Sequence, residues 1–142
     1  MSGNSWQSPN SGEPSAGEEH SIAYASRSTT LLVNTSTNTG GTWSAAVTVA
    51  NVPQGTTEVL CNIAVSIASG LPLICVEKAS GVTLDNITAS SQYRKYRLLI
   101  AVDNGLNYGL VWIPVDSSFQ FKWCTYTTNT TVQIYTPVAY KL

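Results

Sequence analysis

Charge is what this sequence has least of. Acidic and basic residues make up 11% of its 142 residues, against roughly 25% in an average globular domain. A net charge of −1 supplies no clustered basic surface, so neither nucleic acid nor an anionic membrane is an expected partner. Histidine is nearly absent: His20 is the one copy, and it lies in a polar N-terminal segment. A serine-hydrolase triad needs a base beside its nucleophile, and there is no G-x-S-x-G elbow either. The three cysteines, Cys61, Cys75 and Cys124, form neither an even disulfide framework nor a zinc-ligand spacing. They read as small buried hydrophobes, with a Cys61–Cys75 bridge between neighbouring strands as the alternative. Reduced thiols suit assembly in a cytoplasm. No apolar run approaches the roughly eighteen residues of a membrane span, and the first thirty residues lack the basic and apolar regions of a signal peptide. The sequons at Asn34, Asn86 and Asn129 are therefore read as chance products of a Ser-, Thr- and Asn-rich composition.

Catalytic carboxylates are equally scarce. Glu58, Glu77, Asp85, Asp103 and Asp116 are the acids of the strand-rich region. Glu58 faces out of its strand, and the three aspartates stand in turn contexts where Asp caps backbone. No phosphate-cradling glycine loop and no metal-ligand cluster is present. The expectation is a chain without catalytic residues, cofactor or metal.

What the sequence does have is 43% hydrophobic residues arranged with a period of two. Residues 1–27, rich in Gly, Ser, Asn, Pro and Glu, cannot make a core and read as a polar extended arm. Trp6 and Tyr24 are its candidate anchors, because one aromatic ring buries a large apolar area. Residues 28–142 read as one β-domain. Strands are expected over 29–34, 42–52, 57–68, 73–78, 93–103, 108–115, 119–127 and 131–141. Trp43, Ala45, Val47 and Val49 share a face in the second. In the third, Val59, Cys61, Ile63, Val65 and Ile67 point one way, and Glu58, Asn62 and Ser66 the other. Tyr96, Leu98, Ile100 and Val102 are expected inward, with Lys95 and Arg97 outward. Pro114 argues for an edge strand or a bulge. The polar connection 79–92 is the candidate functional loop. About eight strands without an amphipathic helix predict an all-β fold, an antiparallel β-sandwich of jelly-roll type with an extended N-terminal arm.

Two groups of side chains are candidate contacts. Arg94, Lys95 and Arg97 form the one basic cluster, fit either for an acidic partner or for discouraging edge pairing. Tyr126, Tyr135 and Tyr108 fall on less buried faces, where amphipathic rings suit subunit packing and glycan binding alike.

The stretch VTVANVPQGTTEVLCNIAVS (47–66) and the closing VQIYTPVAYKL resemble strand–turn–strand patterns of small β-sandwich proteins of tailed-phage virions, capsid decoration (cement) proteins and fibre tips among them. The resemblance includes no catalytic motif. It implies a non-enzymatic structural part of a virion, assembled in the host cytoplasm and most often a homotrimer. The short length favours a decoration protein, whose partners are its own copies and the major capsid protein or another virion protein. The alternative is the receptor- or glycan-binding tip of a tail fibre or spike, with a host glycan as partner.

Overall fold

The computed structural model describes residues 17, 19–21, 30–38, 40–67, 73–80, 87, 92, 95–100 and 105–142. Among the described residues ten strands occur: β1 (Glu19–Ser21), β2 (Leu31–Thr35), β3 (Val47–Thr48), β4 (Glu58–Ile67), β5 (Leu73–Lys78), β6 (Arg97–Ile100), β7 (Gly105–Pro114), β8 (Gln120–Thr125), β9 (Thr131–Tyr135) and β10 (Ala139–Lys141). They form two sheets with antiparallel pairing throughout. β4 is the spine of the first sheet. β7 pairs along its whole length from Glu58–Pro114 to Ile67–Gly105. On the other side β9 and β10 follow one another, and β2 and β1 pair with them in turn. The second sheet has the order β3-β8-β5-β6.

The sheets face each other over one core, as expected of a β-sandwich. Val59, Cys61, Ile63 and Val65 of β4 meet Val111 and Ile113 of β7 and Val132 and Ile134 of β9, opposite Ile74, Val76, Phe121 and Trp123 of the second sheet. Each buried aliphatic side chain contributes about 1.5–3 kcal/mol, which fixes the alternation of β4, since a slip by one residue would turn the whole row outward. The buried hydroxyls of this core are satisfied: Thr125 Oγ1 donates to Asn38 Oδ1 at 2.7 Å, and Thr130 Oγ1 to Thr127 O at 2.7 Å.

Several expected strands are altered, each for a local reason. Of 42–52 only Val47–Thr48 is regular strand. The segment still runs beside β8, through Gly41 N to Thr125 O, Ser44 N to Trp123 O and Val49 N to Phe119 O. The register slips between these contacts, and the Ser44 hydroxyl enters the ladder by accepting Trp123 N at 3.1 Å. Ala45, expected to share a face with Trp43, Val47 and Val49, is consequently exposed while Val49 is buried. The expected last strand splits in two around Pro137, which has no N–H for the ladder. Val138 N then donates to Leu60 O at 2.9 Å beyond the break. Residues 19–21, expected in the arm, form β1 on β10, and His20 stacks on Tyr140 with ring centroids 5.2 Å apart.

The second sheet also has its outer face covered. Leu73, Cys75, Cys124 and Ile87 are buried there, with Trp43 and Tyr96 packed against them. Ile87 comes from the connection expected to be functional, and its N–H donates to Gly41 O at 2.7 Å. Gly41 has φ +79°, and a Cβ there would run into the Ile87 carbonyl, so this close crossing requires glycine.

Candidate interaction surface

Alternation along β7 turns Val111 and Ile113 into the core and Tyr108, Leu110 and Trp112 onto the outer face of the first sheet. Tyr108 is 65% and Leu110 59% exposed. Across the face, Trp112 lies opposite Leu60, Leu110 opposite Asn62 and Tyr108 opposite Ala64. Tyr135, next to the inward Ile134, stands on the same face, and Gln133 Nε2 donates to Asn34 Oδ1 at 3.3 Å near by. The surface is thus an apolar and aromatic strip on β7 that passes into amides and hydroxyls toward β9 and β2. Exposed apolar groups joined in this way mark contact surfaces more often than singly scattered ones do.

One end of the strip is charged. Glu58 ion-pairs with Arg97 and, at 3.1 Å, with Lys141, which also approaches Glu19 at 3.8 Å. Lys141 Nζ lies 4.2 Å from the centroid of the Trp112 ring, a cation–π contact. Pairs this close to solvent contribute about 0–1 kcal/mol each, so the cluster orients Trp112 more than it stabilises the fold.

Arg97 corrects the expected phase of its strand. It lies opposite Val76, a core residue, and so turns toward the first sheet, where Nη1 bonds Glu58 and donates to Trp112 O at 3.0 Å. Tyr96 takes the opposite side and packs edge-on against Trp43, centroids 4.8 Å apart, on the outer face of the second sheet. Such an inversion is tolerated because β6 ends its sheet, so the guanidinium spans the open side of the sandwich while remaining partly solvated. Lys95 is exposed. Trp6, Tyr24 and Arg94 lie outside the described residues.

The candidate tyrosines do not converge. Tyr135 is on the outer face of the first sheet, whereas Tyr126, 40% exposed, stands opposite Leu73 on the outer face of the second, its N–H on Leu73 O at 3.3 Å. Leu110 and Trp112 are strip residues that the sequence reading did not single out. The signal was available: in GLNYGLVWIP both alternating sets are apolar, which means burial on one face and a second, unexplained demand for apolar surface on the other.

The cysteines give no reactive centre. Cys61 is in the inter-sheet core and Cys75 on the far side of the second sheet, so the bridge considered between them is not formed. Cys75 instead lies directly opposite Cys124. All three are buried and none is in a disulfide. Burial pushes Cys61 up to about 12, and Cys75 is raised by its hydrogen bond with Cys124 and by burial. Among the described residues no three His, Cys, Asp or Glu side chains are grouped to hold a metal ion, and no helix is long and apolar enough to cross a membrane.

No protein-family model and no curated protein matches the chain.

Proposed function

We propose that this protein is a non-enzymatic structural component of a virion, a capsid decoration protein that packs against its own copies and the shell. The observation that carries the reading is the strip of exposed Tyr108 and Leu110 and half-buried Trp112, charged only at its Trp112 end, on a two-sheet scaffold. Such a surface favours broad protein–protein packing, in which aromatics are enriched and charge is depleted. The virion context comes from the resemblance of 47–66 and the closing strand to phage β-sandwich proteins. Immunogold labelling of virions carrying this chain tests it. Label on the head surface is the expected result, and absence of the chain from purified virions overturns the proposal.

The aromatic group on the other sheet favours a second reading, a glycan-binding fibre tip. Tyr126 is exposed beside the cluster that holds Trp43 and Tyr96, and rings of this kind present apolar faces with polar edges to sugars. Label at fibre ends, with glycan binding lost in Tyr126→Ala, would select this reading over decoration.

A further inference from the structure

The backbone of β7 carries information that its side chains do not. Val115 N donates to Thr57 O at 3.0 Å on one side of β4, and Val138 N to Leu60 O at 2.9 Å on the other. Ladder bonds alternate along an antiparallel strand. Odd-numbered β4 residues therefore face β7, and even-numbered ones face β9 and β10. The pairs Val59–Ile113, Cys61–Val111 and Ile63–Gly109 commit Gly109, Val111 and Ile113 to β4. The N–H and C=O groups of Tyr108, Leu110 and Trp112 then point away from the sheet. Arg97 Nη1 reaching Trp112 O agrees with that direction, and Pro114, at the next even position, has no N–H to present.

Long edge strands are ordinarily guarded by charge, proline, a bulge or a covering element. Across its ten residues β7 has no charged side chain, and its register with β4 is continuous. Its guards, Pro114 and Arg97, stand at one end. Tyr108 and Leu110, the most exposed large hydrophobics described, sit in the part that no other described strand pairs with.

We propose that the edge formed by Tyr108 to Trp112 pairs antiparallel with the same edge of a second copy, about a two-fold axis at Leu110, joining two sheets into one. Charge selects this occupant. In a two-fold contact each group meets its own copy, so the surface must be neutral or have its charges already matched. β7 is neutral, and the two described cations that touch Trp112, Arg97 and Lys141, are both already paired with Glu58. The axis sets Leu110 against Leu110 and Tyr108 beside Trp112, an aromatic cross-strand pair. The Trp112 carbonyl has a second lone pair for the new ladder while Arg97 holds the first.

The joint goes beyond the proposed function, and its two-fold symmetry departs from the trimer that the resemblance implies. Sedimentation equilibrium and amide exchange on the full chain test it, over about 1 to 100 µM protein. The expected particle has twice the chain mass. The amides of Tyr108, Leu110 and Trp112 should gain protection as concentration rises, whereas those of Gly109, Val111 and Ile113 stay protected throughout. Leu110→Lys should weaken the dimer at least about tenfold, and Leu110→Pro should do the same by removing an N–H that β4 does not use. Thr48→Lys, on the other sheet, should leave the mass unchanged. A monomer or trimer at all concentrations, or fast exchange of the three even-numbered amides in the dimer, overturns the joint. A dimer absent from virions would overturn the function and leave the joint standing.

Discussion

Asp116 holds the turn between β7 and β8 through its side chain. Its Oδ1 accepts the N–H groups of Ser118 at 2.9 Å and Gln120 at 3.0 Å, while its backbone carbonyl accepts Phe119 N. Phe119 is thereby kept at φ 58°, uncommon for an aromatic residue, with its ring against the core. Burial pushes the Asp116 carboxyl up, but hydrogen bonds from Ser80, Gln120 and Ser118 outweigh it and hold the group below its ordinary value. A depressed carboxylate stabilises the fold above its unfolded value near 3.9 and loses that contribution as pH falls through the lower folded value. Asp116→Ala should therefore cost about 1–3 kcal/mol at pH 7. In urea titrations the gap between the two proteins should narrow below about pH 4; a gap that persists at low pH would assign the loss to packing.

At the scale of elements, β1 is the piece that composition concealed. Three residues of a polar segment pair with β10, and His20 stacks on Tyr140. Three residues show no readable period, so nothing in EHS announces a strand; β10 supplies the template that orders it. Relative to a chain that begins at Gly17, one that begins after Ser21 should lose about 1–2 kcal/mol from lost ladder bonds and ring stacking. A calorimetric melt distinguishes the two; equal melting temperatures would mean that β1 adds nothing to β10. Pro114 was legible by contrast. A proline in an apolar run belongs on an edge, and β7 pairs with β4 alone among the described strands.

At the scale of the molecule, all three thiols are sealed, one between the sheets and two beneath the cover of the second sheet. A thiol reagent can reach them only through opening of the sandwich, and the raised Cys61 and Cys75 leave little thiolate to react. All three should therefore label together, at the rate of global unfolding, with negligible labelling of the native protein at pH 8. Rapid labelling of Cys75 or Cys124 alone would show that the cover opens independently.

The sequence by itself determined the class of fold and most of the core. Alternation over 59–67 is a local property of the chain, and every residue expected inward there is buried. Turn residues such as Asp116 were readable for the same reason, because their chemistry acts within four residues. What tertiary structure decided was everything that depends on a neighbour distant in sequence. Cys75 met Cys124 and not Cys61 because strand order, which no local pattern encodes, placed β5 beside β8. Arg97 turned toward the first sheet, while staying exposed, because β6 is the last described strand of its sheet and opens on Glu58. Pro114 marked β7 as an edge strand, but that its one neighbour among the described strands is β4 was again a matter of strand order.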